Sequence, residues 1–562
     1  MSWADRTLAP RRAPPLSTET IVTLAVTALA GWLVFYPLGW LVWGAFHQGA
    51  PGEGGAFTLQ HVADMLPSLA YWLLVARSLL VGVGITLLAT AIGLPLAWLT
   101  VKSDIPCRRL IELAAILPFF TSTFIGALAW IFLGNPTNGL LRLWFGLPVD
   151  IYSLGGIIFV TGLYMAPYIY LFCAASLRNI DTSYEEASFM SRGGLWRTVT
   201  RVTIPLIAPA LLSAMSLVLI ISLDIFGVAA ILGFPARINL LATEVYVRAT
   251  VSPVDYGGAA VAGLTLIAIT SVLVFLQQRL LGRRSYAVLA GRGFRQTRHR
   301  LGPWRPAALA FCLAYALIAV VLPFLVLLKT SLQTFPTPRF TAWTTANWAT
   351  ILDDEELVAT LWRSLFVSVV GATLCVVLTA VIAYLVQRGR SKMLHLLGYI
   401  ATFPIGVPGI VLGLGLMWGY ITWPIWGTTW LLIVAYITLF MPYGVRAVGA
   451  NVTQIHAELE ESSRVHRAGW LRTLRLIVLP LLRSGITSSW LLLFIIFIRE
   501  ISTAVLLTSV DTQLFPVFIF QEWTGGDFGV MCAGALLLSL LMLIAILLFR
   551  LLFRVDVVPA YR

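Results

Sequence analysis

Charge is scarce in this 562-residue chain. Asp, Glu, Lys and Arg together make up 11%, against roughly 25% in ordinary globular domains, and the only lysines are Lys102, Lys329 and Lys392. So little charge cannot cover the three or four water-facing domains that the length would imply at about 150 residues each. Cysteine is scarce as well. Cys107, Cys173, Cys312, Cys375 and Cys532 form no CxxC, which argues against a zinc site or a disulfide framework, so no metal ligands are assigned. There is no GxxxxGK[ST], no HExxH and no G-x-S-x-G, so phosphate cradling by a P-loop and the common hydrolytic chemistries have no residues to carry them. No catalytic residue is assigned, and the chain reads as a non-enzyme. What abounds is apolar: 59% of residues, with mean hydropathy +0.89. The fold class expected is an all-α polytopic membrane protein.

Apolar stretches of about 20 residues can span a bilayer, and twelve are expected. They lie near 19–46, 72–101, 109–133, 154–177, 206–232 and 257–281, then 306–330, 359–387, 393–419, 427–450, 481–508 and 529–553. The net charge of +13 comes almost wholly from arginine. The arginines sit between apolar runs instead of forming one basic face interleaved with aromatics, so nucleic acid is not an expected partner. Short loops on one side carry them: Arg108 and Arg109, Arg192, Arg197 and Arg201, Arg388 and Arg390, Arg472 and Arg475. The alternate loops hold Glu53, Asp64, Asp353 to Glu356 and Asp511, with Arg142, Arg237, Arg248 and Arg339 as exceptions. By the positive-inside rule both termini face the cytoplasm. The first apolar run is too long for the core of a cleavable signal peptide.

The chain repeats itself. Arg77-Ser78-Leu79 returns as Arg363-Ser364-Leu365, and Pro118 returns as Pro404, both 286 positions on. Met165-Ala166-Pro167-Tyr168 is answered by Met441-Pro442-Tyr443. Two six-span halves in the same orientation imply a pseudo-two-fold along the membrane normal. The organisation expected is 1–71 (N-terminus, first span and periplasmic loop), 72–281 (first repeat core), 282–305 (basic linker), 306–358 (seventh span and periplasmic loop) and 359–554 (second repeat core).

The long loops after spans four and ten separate this plan from other transporters. One reads Glu185-Glu186-Ala187-Ser188, then Gly193-Gly194, and ends at Ile204-Pro205; the other reads Glu460-Glu461-Ser462-Ser463, then Gly469, and ends at Leu479-Pro480. In both, the second Glu precedes the Pro by 19 positions. Helix formers followed by a glycine turn, with a proline opening the next span, predict a short helix-turn-helix on the cytoplasmic face.

On these residues the chain resembles the permease subunits of binding-protein-dependent ABC importers, whose loop reads Glu-Ala-Ala, three residues, Gly, about nine more, then Ile-x-Leu-Pro. The whole plan is similar to fused permeases of the ferric-iron type, a group akin to thiamine, polyamine and aminoalkylphosphonate permeases. The resemblance implies the MetI-like fold of type I ABC importers, a periplasmic solute-binding protein, and two copies of a cytoplasmic ATPase that carry ATP and Mg²⁺. This chain itself then binds no cofactor, and its other partner is membrane lipid. The loops are implied to couple to the ATPase through Glu185, Glu186, Ala187, Arg192, Gly193 and Pro205, and through Glu460, Glu461, Ser462, Arg467, Gly469 and Pro480. Arg192 and Arg467 stand where the family has glycine. Either the turn shifts to Gly193 and Gly469, or the arginines add ion pairs to the ATPase, or they meet lipid headgroups.

Ionisable residues at membrane depth default to function. Asp224 lies 19 residues after Pro205, and Arg499 lies 19 after Pro480 with Glu500 adjacent. At 1.5 Å per residue these charges sit near the periplasmic ends of spans five and eleven. The expectation is that Asp224 meets Arg499 across the pseudo-two-fold and helps form a gate, a static ion pair being the plainer alternative. Arg77 and Arg363 either snorkel to the periplasmic surface or attract an anionic solute. Pro404, Gly406, Pro408 and Gly409 mark a helix that is broken or closely packed, and Pro118 with Thr121 to Thr123 stands in the matching place. For ferric iron, the spans show no cluster of Tyr, Asp or Glu. A secondary transporter would need intramembrane acids and no paired loops. A respiratory-type scaffold would need paired histidines within spans, which the six histidines do not supply.

Overall fold

The computed structural model describes residues 18–282, 298–335, 342–389, 391–466 and 469–553. Among them the chain forms helices and three isolated bridges, and no strand. Five continuous helices of the first half are long and apolar enough to cross a membrane: Thr18–Ala45, Leu69–Lys102, Leu154–Arg178, Leu195–Leu223 and Tyr256–Arg279. Five of the second half match them: Gly302–Ser331, Glu355–Arg388, Thr429–Val452, Trp470–Ile498 and Phe528–Phe549. Their outward faces expose large apolar side chains such as Leu80, Leu87, Val377 and Leu547, as a lipid solvent requires.

The remaining two spans are broken. Arg108–Phe120 meets Thr123–Gly134 at 101°, and Lys392–Gly406 meets Gly409–Tyr420 at 109°. In the first, Thr121 and Ser122 are extended, and the Ser122 hydroxyl caps the new helix by accepting from Phe124 N–H. In the second, Val407 is extended ahead of Pro408, as the proline ring demands of its predecessor. Pro408 has no N–H to give, so Gly409 supplies the first donor of the new helix.

Spans five and eleven are shorter than the sequence implied. They were expected over 206–232 and 481–508, but the helices stop at Leu223 and Ile498. Asp224 and Arg499 leave the helical conformation (ψ 8° and 2°). Beyond them come short helices: Gly227–Ala236 and Leu241–Thr250, bent by 76°, and in the second half Ala504–Leu507 and Phe515–Gly525. Each is too short to cross at 1.5 Å per residue. Apolar sequence ran on through the bend, which is why it read as one span. On the other side, π-helical turns at Val199–Thr203 and Leu474–Val478 precede Pro205 and Pro480, each proline removing one helical donor.

The first span of each half packs on the broken span of the other. Thr18–Ala45 lies along Gly409–Tyr420, and Leu322–Ser331 lies along Thr123–Gly134. The approach is close: a Cβ on Gly415 would stand 2.5 Å from the Pro37 carbonyl. Tyr36 donates to Gly419 O (2.8 Å), and Tyr315 donates to Leu163 O (3.2 Å) across the halves. Small residues and interhelical hydrogen bonds of this kind hold membrane helices together where no hydrophobic driving force exists. Of the glycines in the ninth span, Gly413, Gly415 and Gly419 therefore serve packing.

Candidate functional site

Where the two broken spans face each other, the halves enclose a cavity of about 180 Å³. Its walls come from both bends, with Pro118, Thr121, Ser122, Pro404 and Pro408, and from the ends of spans five and eleven, with Asp224, Arg499 and Glu500. Tyr168 and Tyr443, from the repeated Pro-Tyr pairs, complete it. The linear sequence showed no cluster of Tyr, Asp and Glu. Folding makes one, by bringing Asp224, Glu500, Tyr168 and Tyr443 to the same cavity from four helices. Among the described residues no group of three or more His, Cys, Asp or Glu is placed to hold a metal ion.

Asp224 and Arg499 do not pair with each other. Among the described residues no ion pair joins them. Asp224 Oδ1 instead accepts from the backbone N–H of Gly409 at 2.8 Å, across 185 positions. Arg499 Nη1 donates to the carbonyls of Phe119 (2.7 Å) and Thr121 (3.2 Å) and lies over the Phe119 ring. Each half thus sends one charge to the broken span of the other. The signs match the helix ends: the carboxylate meets an N-terminus with free donors, and the guanidinium meets the carbonyls of a C-terminus. A charge-assisted hydrogen bond contributes about 1.5–3 kcal/mol, and the two contacts tie each half to the bend of the other.

Glu500 completes the corner. Its Oε1 accepts from Thr503 N–H (3.0 Å), and its carbonyl accepts from the Tyr436 hydroxyl (3.1 Å). Gly409 is hemmed in there, since a Cβ would stand 2.8 Å from Thr503 Oγ1 and 3.3 Å from Glu500 Oε1.

Arg77 and Arg363 do not line the cavity. Arg77 is exposed, and Arg363 reaches Gln513 O at 3.4 Å. The working residue of the repeated Arg-Ser-Leu is the serine. Ser78 Oγ accepts from Leu241 N–H (2.8 Å), and Ser364 Oγ accepts from Phe515 N–H (2.7 Å), all buried. Each serine ties the returning short helix to its long span. The repetition of the whole tripeptide, serine included, is the signal in the sequence.

The two basic loops are built alike. Helix Thr182–Met190 is followed by a turn and then by Leu195–Thr198, and helix Ala457–Val465 is followed by Trp470–Thr473. Ser188 is hydrogen-bonded to Thr198, and Ser463 to Thr473, both at 2.8 Å. Glu186, Ala187, Glu461 and Ser462 face outward, as do Pro205 and Pro480. Glu185 and Glu460 face inward and are buried.

Glu185 meets Lys102 Nζ at 3.2 Å, His299 Nε2 at 3.3 Å and Thr203 Oγ1 at 3.0 Å. Burial works against its charge, but the His299, Lys102 and Thr203 contacts outweigh that and hold the carboxyl below its ordinary range. His299 belongs to the end of the linker, which bridges to Ser103 through its N–H to Lys102 O (2.8 Å). Glu460 is held differently. Tyr384 donates to it (3.0 Å), and Arg388 Nε lies 2.8 Å away without hydrogen-bond alignment, so that contact is ionic. Sequence reasoning missed Lys102, His299, Tyr384 and Arg388. A lysine in a chain with three of them was the one visible hint.

The turn after the first loop helix has not shifted. Arg192 itself is left-handed, with φ 56°, while Gly194 and Gly469 are extended at φ −69° and −68°. Arg192 N–H bonds to Phe189 O and Gly193 N–H to Ser188 O, both at 2.9 Å. That is a Schellman ending with arginine in the glycine position, at a cost of roughly 1–2 kcal/mol for the left-handed conformation. Gly193 is required by proximity, since its Cβ would stand 2.7 Å from Ser188 O. Arg467 lies outside the described residues.

Comparison with known proteins agrees with this architecture. The model of the binding-protein-dependent transport system inner membrane component family matches twice, over residues 89–285 and 376–555. The ferric transport system permease protein FbpB of Actinobacillus pleuropneumoniae is 26% identical over 548 residues, covering 94% of this chain and 77% of that protein. A putative ferric transport permease FbpB 1 of Haemophilus influenzae is 26% identical over 487 residues, 83% of this chain and 75% of that protein. A putative 2-aminoethylphosphonate permease, PhnU of Salmonella choleraesuis, is 29% identical over 287 residues, 49% of this chain and 97% of its own length.

Proposed function

The chain belongs to the binding-protein-dependent transport inner membrane component family, and from that premise we propose that it passes ferric iron from a periplasmic binding protein into the cytoplasm. Two copies of a cytoplasmic ATPase, with ATP and Mg²⁺ bound to them, drive the cycle through the loops at 182–198 and 457–473. Both termini then lie in the cytoplasm, on the side of the basic loops. The duplicated loops carry this reading: each presents Glu186 or Glu461 outward on a helix anchored inward by a buried carboxylate.

The gate is the pair of crossed contacts. With Asp224 on Gly409 and Arg499 on Phe119 and Thr121, the bends are held together; turning one half against the other breaks both contacts and opens the cavity. Iron is favoured over other solutes by the names of the relatives that span most of the chain, and by the hard oxygens of Asp224, Glu500, Tyr168 and Tyr443 on the cavity wall. Affinity rests with the binding protein, and the cavity need only offer a transient polar path. Aminoalkylphosphonate is the second reading, supported by the PhnU likeness and by Arg499.

The test is uptake into proteoliposomes holding this chain with its ATPase, supplied with the loaded binding protein. ATP-dependent entry of labelled Fe³⁺ is expected. Uptake that needs no ATPase, or that carries aminoalkylphosphonate in place of iron, overturns the corresponding part.

A further inference from the structure

Two side chains at the cytoplasmic end of span eight hold Glu460: the Tyr384 hydroxyl at 3.0 Å and Arg388 at 2.8 Å. Four residues apart, they share one helix face. The positions 286 earlier, the interval that relates Arg77-Ser78-Leu79 to Arg363-Ser364-Leu365, are Trp98 and Lys102 at the end of span two. Lys102 keeps the role of Arg388 and meets Glu185 at 3.2 Å. Trp98 does not keep the role of Tyr384. It has no hydroxyl, and its buried Nε1–H makes no hydrogen bond among the described residues. Span two therefore offers Glu185 one donor where span eight offers Glu460 two.

The missing donor comes from the linker. His299 sets its ring parallel to that of Trp98, with 7° between the planes, and packs against Phe189 of the loop helix. Its Nε2 lies 3.3 Å from Glu185 Oε2, the oxygen that Lys102 also meets. A carboxylate only accepts, so Nε2 carries the proton and donates. The backbone on either side is fastened as well. His299 N–H donates to Lys102 O (2.8 Å), His299 O accepts from Asp104 N–H (3.2 Å), and Leu301 N–H donates to the Asp104 carboxylate (3.0 Å). A flexible tether between two halves has no need of such bonds. Thr203 also donates to Glu185, at Oε1, but it ties the loop only to the segment into which the loop itself runs.

We infer that His299 is a positioning residue for the first loop: the linker histidine supplies the donor that Tyr384 supplies in the second half, so the segment joining the halves is a working part of that loop. The two loops are then held unequally. Glu460 takes both contacts from span eight, whereas Glu185 divides its contacts between span two, the linker and Thr203. The consequence for transport rests on the function proposed above; the hold of His299 on Glu185 does not.

The experiment measures amide hydrogen exchange of the full chain in nanodiscs, over peptides from 182–198 and 457–473. Loss of one hydrogen bond to a charged group should speed local opening roughly ten- to a hundredfold. His299→Ala should do so at 182–198 and leave 457–473 unchanged, while His299→Gln, which keeps a donor, should leave both near the unaltered rate. Tyr384→Phe, a substitution that keeps the ring, should speed 457–473 alone. The deciding pair adds Trp98→Tyr or Trp98→Phe to His299→Ala. The two differ by one hydroxyl, and only Trp98→Tyr should slow exchange at 182–198 again. Equal effects of the pair overturn the inference, as does unchanged exchange in His299→Ala. In proteoliposomes with the ATPase and the loaded binding protein, uptake should fall in His299→Ala and recover with Trp98→Tyr alone. Faster exchange with undiminished uptake overturns the positioning role. If exchange behaves as expected but the unaltered chain takes up nothing, the proposed function fails and the hold of His299 on Glu185 stands.

Discussion

Reversing both charges at the cavity, with Asp224→Arg and Arg499→Asp together, separates two electrostatic pictures of the interface. If the two side chains formed an ion pair, the reversal would preserve it and transport lost in either single variant would return. The structure requires the opposite outcome. Asp224 accepts from Gly409 N–H at 2.8 Å, and Arg499 donates to Phe119 O at 2.7 Å. After reversal a cation faces a helix N-terminus and an anion faces carbonyls. Each lost charge-assisted bond is about 1.5–3 kcal/mol, and each mismatched helix end adds about 0.3–1 kcal/mol. The total of about 4–8 kcal/mol would shift the balance between closed and open interfaces by three orders of magnitude or more, at 1.4 kcal/mol per tenfold. The assay pairs uptake in proteoliposomes with labelling of Ser122→Cys by a membrane-impermeant thiol reagent. We expect the double variant to transport worse than either single one and to label readily without ATP. Recovery of uptake to the unaltered rate would refute the crossed-cap reasoning.

Two further outcomes follow from the same geometry. Ser78→Ala and Ser364→Ala each strip the partner from a buried backbone N–H, Leu241 or Phe515, and should each cost about 1–3 kcal/mol of stability in thermal denaturation of the purified chain. The Glu185 carboxyl is held below its ordinary value of 4.5, so its contribution to stability is full above that pH and is lost as pH falls below it. Glu185→Gln should destabilise the chain near neutrality by up to about 3–5 kcal/mol, because Lys102 is left buried without its partner, and should flatten this acid limb of the pH–stability profile.

Much of the architecture was legible because hydropathy and internal repetition are local or periodic signals. The Pro-Gly run at 404–409 marked the ninth span as broken or closely packed, and it is both: the bend lies at Val407–Pro408, and the glycines beyond it pack. The contacts that matter most were illegible because they are long-range. Nothing near Asp224 in sequence indicates that its acceptor role is toward Gly409, and equal spacing from Pro205 and Pro480 suggested pairing with Arg499, when the two-fold instead exchanges their targets. The ends of spans five and eleven were overrun because the short segments just beyond the bends, Gly227–Gly233 and Ala504–Leu507, are wholly apolar. At Arg192 a shifted turn was one of three alternatives, and it does not occur: the capping bonds to Phe189 and Ser188 fix the turn and oblige the arginine to adopt the glycine conformation.

The most direct test of the central claim, that the two halves must part at the crossed caps for solute to pass, is a cross-link beside them. A Cβ on Gly227 would lie 3.4 Å from the Ile501 side chain of the other half, so Gly227→Cys with Ile501→Cys places two thiols across the interface within reach of a disulfide. In proteoliposomes with the ATPase and the loaded binding protein, oxidation should abolish ATP-dependent uptake and reduction should restore it. Undiminished uptake with the cross-link fully formed would contradict the account.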